Sequence, residues 1–482
     1  MIKLASGALA VLICSALAIA QALSPEVKKF VKVDAPVIAL THVRVIDGTG
    51  AAAQDDQTVI LSGGRIQSVG NASSATIPSG AQTIELRDHT VLPGLVGMHD
   101  HMFYPAGDAI FHEMPISFPR LYLAGGVTTI RTTGSMEPYL DLAVRRQIDR
   151  GQVPGPHIHV TGPYLEGPGG WAPQLAELKT PEEAAATVNF WIDRGVDNFK
   201  AYNFISREVL GAAIQAAHKR GVKLTGHLCS VGFREAAALG IDDLEHGLVV
   251  DTEFFSAKKP DVCPDENAVV AELIKMKVSD PPIQDMIRDL VAHHVALTST
   301  LPVFELLVAN KTPLQQRILD AMSQEARNQF LENRVRLDLP HRDPKTGEMT
   351  PRPWGPAFKL EMEFERAFVK AGGLLLAGLD PTGIGGVLPG FGDQREVELL
   401  VEAGFTPLEA IHIATSNGAQ FLGETDRIGT IAPGKQADLL IVKGDPSRKI
   451  DDIENVELVF KDGVGYDSAK LIESVRGLVG IR

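Results

Sequence analysis

With 482 residues the chain has room for one large domain and a smaller companion, and 44% hydrophobic against 22% charged residues is the balance of a folded globular protein, not a disordered one. The formal net charge of -14 and a pI near 5.5 repel phosphate backbones and anionic bilayers at long range, which argues against nucleic-acid partners.

The N-terminus reads as a secretory signal: Lys3, an apolar stretch over residues 4–20, then Ala20-Gln21-Ala22 as a small-x-small cleavage site. Residues 1–22 are expected to be removed, leaving a secreted or periplasmic protein without a membrane attachment. The competing readings are an uncleaved anchor, for which the stretch is short and lacks a stop-transfer flank, and lipidation at Cys14, which the bulky residue before it opposes. Without the leader, Cys229 and Cys263 are the remaining cysteines. In an oxidising compartment they either form a disulfide or stay as two buried thiols; the sequence leaves both open.

Residues 37–92 show short strands and turns, as in 43–50, 59–66 and 83–88, the grammar of hairpins. The apolar run Val91-Leu92-Pro93-Gly94-Leu95-Val96-Gly97 then leads to His99-Asp100-His101. Alternation along a strand turns both imidazoles the same way, so they can share a metal ion, although an isolated pair is more often solvated or satisfied by neighbours. From there strands alternate with helices. Strand-like segments cover 127–132, 157–161, 198–202, 223–227, 244–246, 296–301 and 374–379, eight with the segment before His99. Helices fit between them: one opens at Thr180-Pro181-Glu182-Glu183 and stops at Gly195, another opens at Ser206 and stops at Gly221. Such alternation predicts parallel βα units. The segment between the seventh and eighth strands is far longer than one helix requires, rich in charge over 338–350, and ends in Pro351-Arg352-Pro353-Trp354. It is a candidate cover for a site at the mouth, and equally an inert elaboration or a contact in a homo-oligomer. Gly383-Ile384-Gly385-Gly386 follows the eighth strand without the context of a dinucleotide fold and reads as a loop. Strand grammar returns in 428–442 and 456–463.

Four further polar residues close strand-like runs: Lys200, His227, His246 and Asp380. With His99 and His101 they all sit at strand C-termini, where a (β/α)8 barrel gathers its catalytic groups. The order His-x-His, Lys, His, His, Asp resembles the binuclear metal-dependent amidohydrolase superfamily. The phrases His227-Leu228-Cys229-Ser230 and Leu244-Glu245-His246-Gly247 are similar to its imidazolonepropionase-like and Xaa-Pro dipeptidase-like branch, and Pro433-Gly434-Lys435-Gln436-Ala437-Asp438-Leu439 is a phrase the superfamily shares.

The resemblance implies an α/β chain with a TIM barrel over residues 93–424 and a small β-sandwich built from 23–92 and 425–482. It implies two divalent metal ions, zinc in type: His99, His101, Lys200 and Asp380 for the more buried ion, and Lys200, His227 and His246 for the exposed one. An ammonium cannot bind a cation, and the superfamily solves this by carboxylation, which would make Lys200 an N6-carboxylysine bridging both ions. A strand-end lysine paired with an acid is the bland alternative. Asp380 would shuttle the proton while the C–N bond of a small substrate, a dipeptide or N-acyl amino acid, is hydrolysed. Such a role for His227 leaves little room for Cys229 as a nucleophile. The dipeptidases place a tyrosine two residues after the strand-five histidine where this chain has Cys229, so a prolyl substrate is not specified. Substrate contacts are expected from Arg131, Tyr164 and Tyr202, holding a free carboxylate, and from His159. A lactonase, esterase or phosphotriesterase, or a binding protein without turnover, fits the same scaffold.

Overall fold

The structure is a computed structural model that describes residues 23–481 apart from 107–109, 171, 310–312, 343–348 and 351–352. The leader expected over residues 1–22, with Lys3 and Cys14, lies outside the described residues, as does part of the charged stretch 338–350. No helix among the described residues is long and apolar enough to cross a membrane.

Both ends of the chain meet in one nine-stranded sheet. Its order runs Val31–Val33, Val464–Asp467, Val456–Lys461, Leu439–Lys443, His89–Pro93, Val37–Val45, Gln54–Ser62, Arg65–Asn71, with Gln82–Glu85 also beside Val37–Val45. The long strand Val37–Val45 carries two successive neighbours: its residues 38–41 pair with 82–85 and its residues 44–45 with 90–91. Between them its register against Gln54–Ser62 shifts and His42 takes φ +56. An interruption of this kind bends a strand. The sheet thereby closes over an apolar core to which Leu40, Val59 and Leu61 contribute from one side and Leu439, Ile441 and Phe460 from the other. Where two packed sheets were expected, hydrogen bonds run continuously from one terminal half to the other through the antiparallel pair of Leu439–Lys443 and His89–Pro93.

The eight anticipated βα strands all form, and all are parallel. Leu95–Asp100, Val127–Thr132 and His157–His159 make one sheet; Asn198–Ala201, Lys223–Gly226, Asp243–Glu245, Ala296–Ser299 and Leu375–Ala377 make most of another. Strands buried on both faces read as apolar runs, which is why the segments ending in Leu95–Asp100 and Leu375–Ala377 were the most legible. The two sheets meet at both edges. Thr161 bridges Asn198 in parallel, and the Asp380 amide donates to the His99 carbonyl at 3.0 Å.

The helices follow their caps. Pro181–Ile192 starts on Thr180, whose hydroxyl accepts from the Glu183 amide, and the chain turns away at Gly195, φ +95. Arg207–His218 starts on Ser206 and ends before Gly221. The long segment before the eighth strand is largely helical, with Leu301–Glu305, Gln316–Ala321, Gln324–Asp338 and Trp354–Lys370. Cys229 and Cys263 are joined as a disulfide across 34 residues, their Cα atoms 4.8 Å apart.

Candidate active site

Parallel strands deliver their C-terminal residues to one end, and that end holds all six strand-end residues. His99, His101 and His246 are each anchored through Nδ1. That of His99 faces Glu245 Oε2 at 2.7 Å, that of His101 the Gly134 carbonyl at 3.2 Å, and that of His246 the Thr300 hydroxyl at 2.7 Å. The Nε2 atoms of the first pair turn inward. His99 Nε2 lies 3.1 Å from Lys200 Nζ and 3.7 Å from Asp380 Oδ2, and His101 Nε2 lies 3.4 Å from Asp380 Oδ1. His227 and His246 complete the group with ring centroids 4.5 Å apart. The Asp380 carboxylate is steadied by the Thr382 hydroxyl, which donates to Oδ1 at 2.7 Å. His246 and Asp380 both adopt positive φ, +68 and +51, a conformation that non-glycine residues seldom hold and that re-aims a side chain at a strand end.

Burial sets the charge states. It pushes His227 down to about 3, helped by the Lys200 charge, and holds His99 and His246 well below the ordinary imidazole range. These rings are neutral at physiological pH, the form that ligates metals. Burial pushes the Lys200 amine down to about 8 against the pull of Glu245 and Asp380. Burial alone would raise Asp380, but His99 and His101 hold it well below the usual carboxylate range. One donor atom each from His99, His246 and Asp380 falls within 4.8 Å of the others. Neutral imidazoles around an ionised carboxylate, each turned by an outer partner, form the donor set of a first-row divalent cation, so the residues fit the expected metal centre.

His101, Lys200, His227, His246 and Asp380 line a cavity of about 280 Å³ with an apolar wall of Phe103, Phe111, Met136, Val303, Phe304 and Leu307. The last three belong to the long segment after the seventh strand, which supplies part of the wall. Tyr164 and Tyr202 line the cavity as anticipated. The Tyr164 hydroxyl is 3.5 Å from His101 Nε2, and burial keeps it protonated. The Tyr202 ring lies 4.9 Å from that of His227. Gly383 of the glycine-rich loop also reaches the cavity.

Two anticipated substrate contacts are elsewhere. Arg131 is buried among the strands, not at the mouth: its Nε donates to the Met98 carbonyl at 2.8 Å, and its Nη2 reaches Asp243 Oδ2 at 2.9 Å and Glu245 Oε1 at 3.2 Å. Two buried carboxylates need a cation, and Arg131 meets that need. His159 turns to Glu424, 3.4 Å away, and does not line the cavity. Glu245 and Thr300 were missed. Glu245 was legible only as part of the phrase preceding His246; nothing local marks Thr300 as the partner of a ring.

Residues 390–464 match the model of the amidohydrolase family. A dihydroorotase from Streptomyces coelicolor is 31% identical over 157 residues, which are 31% of this chain and 34% of that protein, so the chain matches about a third of that relative's length. Among solved structures, a protein from Bifidobacterium longum described as a prolidase superposes with TM-score 0.65 at 26% identity, over 91% of this chain and 98% of the other. A Xaa-Pro dipeptidase with methionine bound in its active site gives 0.64 at 21%, over 89% and 100%. A bottromycin amidohydrolase gives 0.66 at 20%, over 92% and 91%. These matches lie in the amidohydrolase superfamily that the sequence resembles.

Proposed function

We propose that this chain is a secreted, metal-dependent hydrolase that cleaves the C–N bond of a small amide or peptide, and that its eight parallel strands close into a (β/α)8 barrel over residues 93–424 beside the single bent sheet formed by the two terminal segments. The observation that carries the activity is the convergence of Lys200, His101, His227, His246 and ionised Asp380 on one cavity, with His99 Nε2 beside Lys200 and Asp380. The edge contacts Thr161 to Asn198 and Asp380 to His99 support closure. The Cys229–Cys263 bond supports an oxidising compartment.

His99, His101, Lys200 and Asp380 would hold one divalent ion, zinc in type, and Lys200, His227 and His246 a second. When bound, such ions supply a Lewis acid for the substrate carbonyl and make hydroxide available near neutral pH. Lys200 would serve both positions as a carbamate, formed when the neutral amine makes an N–C bond to carbon dioxide and loses a proton. Asp380 takes the proton released as water adds to the carbonyl and returns it to the departing nitrogen, without which an amine is a poor leaving group. Tyr164, a donor beside His101, orients the carbonyl side of the substrate, and the apolar wall takes an acyl or side-chain group and excludes water. With Arg131 committed to Asp243 and Glu245, a substrate carboxylate has Tyr164 and Tyr202 as its partners among the anticipated residues.

The test is a panel of dipeptides, N-acyl amino acids, lactones and phosphotriesters offered to the zinc-loaded protein. Amide turnover should exceed the rest in kcat/KM. Lactone or phosphotriester hydrolysis faster by about a hundredfold, which is about 2.7 kcal/mol in transition-state stabilisation, overturns the amide assignment.

A further inference from the structure

A second histidine cluster lies at the opposite end of the parallel strands. His157 opens the strand His157–His159, and its Nε2 faces two aspartates of the terminal sheet, Asp438 Oδ2 at 3.6 Å and Asp462 Oδ1 at 3.3 Å. All three donor atoms fall within 4.8 Å of one another. Donors held about 2.1 Å from a tetrahedral zinc-type ion are about 3.4 Å apart, so the two measured separations are those of neighbouring ligands.

The Asp438 side chain is 2% exposed, and its Oδ2, aimed into the cluster, has no hydrogen-bond partner. Its other oxygen is used, accepting the Asp462 amide at 2.7 Å. A buried carboxylate oxygen without a donor is costly unless a cation meets it. Lys461 does not fill that need, because its Nζ lies on the far oxygen of Asp462, Oδ2, at 3.1 Å. Gln436 Nε2 donates to Asp462 Oδ1 and lies 3.4 Å from His157 Nε2. The cluster sets two carboxylates against one ammonium, that of Lys461. A cavity of about 500 Å³, lined by His157, Asp462, Lys461, Asp34 and Tyr466 among others, provides access and space for water ligands.

We propose that His157, Asp438 and Asp462 form a binding site for a first-row divalent cation, zinc in type, that fastens the terminal sheet to the parallel strands. None of the three lines the hydrolytic cavity, and the site does not depend on the activity proposed above. A bound ion satisfies Asp438 Oδ2 and ties strand His157–His159 to the turn at Asp462, whose φ of +53 asparagine also tolerates.

The experiment compares the mature chain with its His157→Gln and Asp462→Asn variants after zinc loading and removal of free metal. Elemental analysis should find one zinc ion fewer per chain in each variant, and chelation should lower Tm less in the variants than in the parent. Cobalt substitution should give the parent a visible absorption component that both variants lack. Asp438→Asn, which keeps an oxygen for the Asp462 amide, serves where another variant misfolds by circular dichroism. Equal zinc content in parent and folded variants overturns the site. Loss of the hydrolytic ions alone appears instead in a His99→Ala variant, which should keep the cobalt signal of the His157 cluster.

Discussion

The chain contains two His-x-His pairs on one three-stranded sheet, separated by a single strand, and they have opposite surroundings. His99 and His101 close the strand Leu95–Asp100, are buried, and turn Nε2 toward Lys200 and Asp380. His157 and His159 open and close the short strand His157–His159, are half-buried, and turn toward Asp438, Asp462 and Glu424. The motif is the same; the difference lies in what non-local groups meet it. At the C-terminal end the neighbours are more imidazoles, a lysine and one carboxylate, a constellation for chemistry. Around the second pair they are carboxylates, Asp438 and Asp462 beside strands of the terminal sheet and Glu424 on a separate segment, the arrangement proposed above for fastening.

The sharpest way to break this contrast is Lys200→Ala. If the His99 pair belongs to a centre bridged by a lysine carbamate, the variant should lose most of its metal and activity, and added short carboxylic acids should partly restore both. Intact-mass measurement checks for the carbamate in the parent. Unchanged metal content in Lys200→Ala would remove this residue from the centre. Next in size is Asp380→Asn, expected to depress kcat by roughly 10² to 10⁴ while leaving the thermal midpoint close to that of the parent. Near-normal turnover would leave Asp380 without its proton-transfer role.

The outer partners give a smaller, more specific effect. His99 is turned by Glu245, which Arg131 in turn holds at 3.2 Å. Glu245→Gln should weaken zinc binding at the hydrolytic centre by about 10- to 100-fold in a competitive chelator titration. An unchanged affinity would mean that strand position alone, without the outer hydrogen bond, makes the first pair competent.

The limits of the sequence follow the same division. The eight strands and the six strand-end residues were readable because each is a local pattern, an apolar run closed by a polar group, repeated in a recognisable order. Arg131 was misplaced because alternation tells which residues share a face but not whether that face looks into the strands or onto the mouth. Its answer lies in Asp243, 112 residues along the chain. His159 failed similarly, since Glu424 belongs to a distant segment, and the Cys229–Cys263 pairing depended on a Cα separation that no spacing supplies. The continuous terminal sheet was hidden because its bend at His42 is an interruption of register, not of composition.

A third kind of buried carboxylate completes the comparison, one with neither a metal-type centre nor an imidazole facing it. Glu365 on the helix Trp354–Lys370 is buried, and burial pushes its carboxyl up to about 8, with the Ser299 hydroxyl pulling the other way. The Glu361 and Glu396 carboxyls, also raised by burial, feel its charge. Between the ordinary carboxylate value and about 8 the folded chain holds a proton here that the unfolded chain has released. Stability from this group is therefore full below the unfolded value and falls as pH rises toward 8. Glu365→Gln replaces the protonated acid by a neutral amide of the same shape and should remove that fall. Thermal melts of parent and variant should nearly coincide at pH 5 and separate at pH 8, the variant melting higher by about 1–3 °C. A variant that melts lower than the parent at both pH values would show that the carboxyl is held by a partner the amide cannot replace.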